Sequence, residues 1–201
     1  MNVTLIDYGA GNVTSVERAL LRLGAASQRS TSPEGIAKAE ALLLPGVGHY
    51  AALIHALDQR ALRAPLLDAI QRGVPFLGVC LGLQALYETS EEAPELAGLK
   101  LFSGSIRSLP ATVKLPHMGW NQIKPTRPSR LLEGISAEAY FYFAHSYAAT
   151  GANGEAVALC EHGANFAAVV EKKNIFAVQF HPEKSADSGA QLLQNFLRLA
   201  A

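Results

Sequence analysis

Cysteine is scarce in this chain of 201 residues: there are two, Cys80 and Cys160, in distant parts of the sequence. They form neither a close metal-ligand pair nor a disulfide framework, so a zinc-stapled or disulfide-stapled fold is excluded and a reducing compartment is expected. Excess charge is missing as well, since 17 Lys plus Arg balance 17 Asp plus Glu, which removes any general electrostatic hold on nucleic acid or an anionic membrane. Long apolar runs are absent too. The run from Val74 to Leu81 is broken by Pro75 and Gly78 and falls well short of the roughly 20 residues that span a bilayer. The opening MNVTLIDYGAGN has no charged region leading into an apolar one, so no secretory leader is expected. These absences predict a soluble, cytoplasmic protein whose ligands are small molecules or another protein.

Apolar residues make up 49% of the chain, enough for a sizeable core, and with no linker or repeat in sight a single domain over residues 1–201 is expected. The first half alternates apolar strands (Val3 to Ile6, Ala26 to Ser30, Ala41 to Leu44, Val74 to Val79) with helical segments. Val13, Val16, Leu20 and Leu23 share one helical face, which Asn12 can cap at its start and Gly24 can end. From about Ser105 short strands separated by turns take over: 105–109, 121–124, 139–143, 155–160, 166–171 and 175–180. A helix over Ser188 to Leu199 closes the chain. The expected fold is α/β: three layers, a mainly parallel sheet with helices on both faces, and a strand-rich, partly antiparallel C-terminal half. In such a sheet, ligands bind at the carboxyl ends of the strands.

Three strand ends carry chemistry. VPFLGVCLGLQAL runs from strand into helix with Cys80 at the junction and Gly78 and Gly82 on either side, the pattern of a nucleophile elbow with Cys in place of Ser. The start of the following helix favours a thiolate there. Cys160, in the apolar strand EAVALC, reads instead as a core residue. FAVQFHPEKS delivers His181 at a second strand end with Glu183 beyond Pro182. If the strand ends are neighbours, His181 takes the thiol proton and Glu183 holds the imidazole tautomer. The third loop, Pro45 to Gly48, has glycines that leave amides accessible to an anionic oxygen, so Val47 and Leu81 are the expected oxyanion donors. Taken alone, H-P-E is a weak motif, since a His at a strand end is more often hydrogen-bonded structure, and the glycine loop is equally an ordinary strand-end turn.

Together these segments resemble the class I, triad-type glutamine amidotransferases. Within them the chain is similar to the family of glutaminase subunits of imidazole glycerol phosphate synthase, through DYGAGN at residues 7–12, PGVG at 45–48, HMGWN at 117–121 and FAHSY at 143–147. The resemblance covers essentially the whole chain. It implies that glutamine is attacked by Cys80, that a thioester forms and is hydrolysed, and that no metal or organic cofactor is needed. It also implies that Gly46, Gly48, Gln84, Glu92, His145, Ser146 and Tyr147 hold the substrate. Read without it, Gln84 is a solvated helix position and Glu92 an exposed charge. The similar subunits dock on a (β/α)₈ cyclase subunit that consumes the ammonia in histidine biosynthesis, and Asn12, Trp120, Tyr142 and Lys184 correspond to the interface.

Gly9-Ala10-Gly11 is no dinucleotide fingerprint, since Thr14 stands where its third glycine belongs. Ala10, where the family often has proline, bears on the stiffness of that loop. Rival readings are an amidotransferase subunit for pyridoxal phosphate, purine, pyrimidine or aminobenzoate synthesis, a γ-glutamyl peptidase, or a non-enzymatic interaction subunit. A further expectation concerns control: if the Val47 amide points away from Cys80, the transition state is left unstabilised until the partner or its ligand reorients it.

Overall fold

A computed structural model describes residues 2–9, 12–151 and 154–201. Ala10 and Gly11, on which the reading of the first loop partly rests, lie outside the described residues. The chain begins with β1 (Asn2–Ile6), α1 (Val13–Arg22), β2 (Ala26–Ser30), α2 (Pro33–Ala37) and β3 (Ala41–Gly46). It continues through α3 (Tyr50–Gln59), α4 (Arg63–Gln71), β4 (Phe76–Cys80) and the one-turn α5 (Leu81–Gln84).

The second half is mostly strand: β5 (Thr89–Ser90), β6 (Ser105–Ser108), β7 (His117–Gln122), β8 (Lys124–Pro125), β9 (Tyr140–His145), β10 (Tyr147–Ala149), β11 (Ala156–Glu161), β12 (Asn165–Lys172) and β13 (Ile175–Val178). A 3₁₀ turn at Pro182–Lys184 leads into α6 (Ala186–Ala200).

The eight-stranded sheet has the order β2-β1-β3-β4-β13-β12-β11-β8. β2, β1, β3, β4 and β13 run parallel, while β12, β11 and β8 add antiparallel strands. The period of two along each strand sorts the core into two clusters. Val3, Leu5, Leu43, Leu77 and Val79 face α1 and α6, packing with Val16, Leu20, Leu192 and Phe196. Ile6, Leu42, Leu44 and Phe76 face the opposite layer, against Ile36 of α2, Leu53 and Leu57 of α3, and Leu66 of α4. Apolar residues on both faces explain why β3 and β4 read as unbroken buried runs. Among the described residues, no helix is long and apolar enough to cross a membrane.

Helix ends follow local chemistry, with one departure from expectation. Gly24 terminates α1 at φ +74°, with its own N–H donating to the Leu21 carbonyl and that of Ala25 to Leu20, as a Schellman stop requires. Asn12 occupies the N-cap, but its side chain makes no capping bond and its backbone carbonyl takes the Ser15 and Val16 amides instead. Val74 lies outside β4 because its N–H closes the end of α4 on the Ala69 carbonyl, beyond Gly73 at φ +95°.

β7 starts at His117, earlier than the Asn121 start expected from apolar pattern. It pairs antiparallel with β9 in a separate two-stranded sheet, Trp120 opposite Tyr142 and His117 opposite His145. The inward position is a histidine and the outward ones are Met118 and Trp120, which inverts the usual alternation.

Candidate active site

Parallel register brings three strand ends together. Gly46 at the end of β3 pairs with Cys80 at the end of β4, and Val178 at the end of β13 pairs with Val79. Loops 46–48 and 179–183 therefore emerge on either side of Cys80. That residue sits at φ +55°, ψ −106°, a region a side-chain-bearing residue occupies only when its surroundings hold it there.

Close packing imposes the turn. A Cβ on Gly82 would stand 2.1 Å from the Leu44 carbonyl oxygen, and one on Gly78 would stand 2.7 Å from the Gly82 carbonyl oxygen. One on Gly46 would come within 2.5 Å of Leu81 Cβ. Gly46, expected to touch substrate, is thus buried against the elbow and takes no part in lining the adjacent cavity.

His181 Nδ1 lies 2.9 Å from Glu183 Oε1, and both side chains are buried. A carboxylate accepts, so Nδ1 carries the proton and Nε2 is left for Cys80, with which His181 is hydrogen-bonded. Burial disfavours the imidazolium, but the bonds to Cys80 and Glu183 outweigh it and hold the His181 pKa up to about 10. The arrangement suits a thiolate–imidazolium pair. The His181 backbone is anchored at both ends: its N–H donates to the Tyr142 carbonyl (2.8 Å) and its carbonyl accepts from Ser185 Oγ (2.6 Å).

The Val47 amide is engaged elsewhere. Its N–H donates to the Tyr8 hydroxyl at 3.2 Å, and the hydroxyl in turn donates to the Val47 carbonyl at 3.4 Å. Burial pushes the Tyr8 phenol up to about 12, so it remains a protonated donor. Val47 is thus not available to an oxyanion in this conformation, whereas the Leu81 amide opens α5 beside Cys80 at a position without an intrahelical acceptor.

A cavity of about 310 Å³ opens over Cys80 and His181, at the small end of the range for ligand sites. Val47, Gly48, Leu81, Gln84, His145, Ser146, Tyr147 and Lys184 line it. Glu92, whose sequence position reads equally as an exposed charge, also lines it and accepts the Tyr50 amide at the start of α3 (2.8 Å). Gln84 is buried, not solvated, and its Nε2 donates to the Tyr147 carbonyl (2.7 Å) and to Gln179 Oε1 (3.2 Å).

His145 has no ring nitrogen left for a ligand. Nδ1 donates to the Tyr147 carbonyl (2.9 Å), which leaves Nε2 to accept from His117 Nδ1 (3.1 Å), so it lines the cavity with both ring nitrogens already engaged. Burial holds His145 down to about 3 and His117 to about 4, keeping both neutral. Asn12 and Trp120 lie outside the cavity; Trp120 and Tyr142 meet edge to face at 6.1 Å, with Lys184 Nζ 5.5 Å from the Tyr142 ring centre.

Tyr8, His117 and Gln179 also meet at the site, although none of them is among the residues the sequence marks for it. Gln179 alone had a visible signal, as the one polar residue in the apolar run Phe176 to Phe180. Cys160 is buried in β11, as its apolar strand suggests, and burial raises its thiol to about 12.

The class-I glutamine amidotransferase family model matches residues 4–200. Imidazole glycerol phosphate synthase subunit HisH of Moorella thermoacetica is 46% identical over 195 residues, covering 96% of this chain and 93% of that protein. Subunit HisH of Methanothermobacter thermautotrophicus is 44% identical over 197 residues, covering 98% of each. A crystal structure of a glutamine amidotransferase superposes with a TM-score of 0.78 at 19% identity, covering 98% of both chains, which supports the fold. Match and geometry agree, and the chain belongs to the class-I glutamine amidotransferase family and, within it, to the HisH subunits of imidazole glycerol phosphate synthase.

Proposed function

We propose that this chain hydrolyses glutamine to glutamate and ammonia, and that it passes the ammonia to a docked (β/α)₈ cyclase subunit in histidine biosynthesis. The observation that carries the reading is the buried His181–Glu183 pair, 2.9 Å apart, hydrogen-bonded to a cysteine held at a strained elbow over a small cavity.

The Cys80 thiolate attacks the glutamine side-chain amide carbon, forming a tetrahedral oxyanion that the Leu81 amide is placed to stabilise. His181 hands its proton to the departing nitrogen, and ammonia leaves with a γ-glutamyl thioester behind it. Neutral His181 then takes a proton from water, which attacks the thioester and releases glutamate. Glu183 keeps the imidazole in the required tautomer throughout. The Gln84 carbonyl and the Glu92 carboxylate are acceptors suited to the substrate ammonium.

Free ammonia is mostly protonated at neutral pH and then unreactive, so direct transfer needs a partner seated over the cavity. The outward face of β7 and β9 fits that role, because Met118, Trp120 and Tyr140 are three of the four exposed large apolar residues among the described residues. Pro116 and Ala144 of the same region line the cavity.

The test measures glutamate release from glutamine with and without the cyclase subunit and its nucleotide ligand. Wild type should be weakly active alone and strongly activated in the complex, and Cys80→Ala inactive in both. Wild type inert beside its partner would overturn the reading.

A further inference from the structure

Gln179 lies one residue beyond β13, whose register with β4 sets it next to Cys80, and it is fully buried. Its Nε2 lies 3.6 Å from the Cys80 sulfur. The identity of that atom follows from a chain of obligate bonds, because a backbone carbonyl can only accept. The Tyr147 carbonyl therefore faces the amide nitrogen of Gln84 at 2.7 Å. The second N–H of that nitrogen points to Gln179 at 3.2 Å and must meet its oxygen. Gln179 is left with its Nε2–H toward sulfur.

We propose that Gln179 is a catalytic residue: its amide N–H donates to the Cys80 sulfur and stabilises the thiolate, in an orientation dictated by the Gln84 to Tyr147 carbonyl bond. The proposal rests on Cys80 being the nucleophile. The sulfur then has two partners of different kinds. His181 exchanges a proton with it, whereas Gln179, which cannot ionise, holds the negative charge without neutralising it. The same bond restrains the sulfur at the elbow, and the thioester sulfur, far less charged, forfeits most of it. The stabilisation is thus greatest in the state that attacks.

The geometry also links the nucleophile to the substrate. Gln84 spends both N–H groups on Tyr147 and Gln179, so its carbonyl is the group it presents to the cavity. Gln179 thus orients an acceptor for glutamine at one end and a thiolate at the other, which a buried apolar residue of equal size could not do.

Two variants separate a thiolate donor from a mere support of Gln84. Gln179→Met keeps the volume and removes the donor and the acceptor. Gln179→Glu keeps an acceptor for Gln84 and puts a carboxylate in place of the donor. The readout needs neither partner nor glutamine: the rate at which iodoacetamide alkylates Cys80 at neutral pH, followed by mass of the Cys80 peptide. Cys160, buried and held protonated, serves as the unreactive internal reference.

A lost hydrogen bond to a charged group predicts alkylation about ten- to a hundredfold slower in Gln179→Met and slower still in Gln179→Glu. In the complex, kcat should fall with KM within about twofold of wild type in Gln179→Glu. Alkylation of either folded variant at the wild-type rate, or a rise in KM with kcat retained, would overturn the proposal. Because alkylation requires no glutaminase activity, its result stands apart from the failure of the proposed function.

Discussion

At the scale of single residues, the most consequential bond is the one from the Val47 amide to the Tyr8 hydroxyl. An amide held there cannot stabilise an oxyanion until the peptide turns, and turning gives up that bond. Tyr8→Phe removes the acceptor while keeping the ring in the core. With a net worth of about 1 kcal/mol for one such bond, basal glutaminase activity without the partner should rise roughly fivefold, and the stimulation factor should shrink accordingly. Measuring glutamate release by wild type and Tyr8→Phe in the isolated and complexed states checks this; equal basal rates would remove Tyr8 from the control. That Cys80, His181 and Glu183 come together was legible in the sequence because all three follow the ends of buried apolar strands, which parallel pairing makes neighbours. Tyr8 was not, since a tyrosine behind a first strand says nothing about a loop that only the sheet register brings to it.

At the scale of elements, the elbow holds only while β3, β4 and α5 stay in backbone contact. Gly82→Ala places a Cβ 2.1 Å from the Leu44 carbonyl oxygen, a backbone atom that cannot yield as the end of a flexible side chain would. The expected cost is at least about 3 kcal/mol, roughly 6–12 °C in Tm for a chain of this size, with glutaminase activity lost. Gly48→Ala is the contrast: no atom lies within 4 Å of its Cβ, so any cost comes from φ +92° alone. The glycines flanking Cys80 were legible as a turn, but their true constraint, contact across three elements, is a tertiary fact. The β7–β9 pair carries a second expectation. His145 is held down to about 3 against 6.5 for a free imidazole, chiefly by burial, so below pH 6.5 the unfolded chain binds a proton that the fold refuses. Its contribution is complete above pH 6.5 and is lost as pH falls toward 3, at about 1.4 kcal/mol per unit. His181, raised to about 10, works in the opposite sense: its stability is complete below pH 6.5 and drains away as pH rises toward 10. Urea unfolding across pH 5 to 9 should therefore show a maximum near neutrality, and a stability that stays level from pH 6.5 to 5 would contradict the buried neutral histidine.

At the scale of the molecule, the alternation of apolar strands and amphipathic helices made the layered α/β fold legible, because two buried faces leave continuous apolar runs in β3 and β4. The β7 strand was obscured because its logic is inverted. It buries His117 and exposes Met118 and Trp120, at 64% and 53%, so an apolar count assigns its faces the wrong way round. That inversion makes sense if the outer face is covered in the complex, where Trp120 against Tyr142, with Lys184 beside the ring, forms an aromatic anchor at the rim of the cavity. The His181 N–H is tied to the Tyr142 carbonyl, so the strand that would meet the partner also anchors the His181 backbone. Centrally placed tryptophans typically contribute 2 kcal/mol or more to such interfaces. Trp120→Ala should therefore weaken binding of the cyclase subunit about thirtyfold or more in calorimetric titration, whereas Leu21→Ala, an exposed apolar residue on α1, should change it less than threefold. Equal affinities for the two variants would mean that the partner covers some other face and that ammonia leaves the cavity by another route.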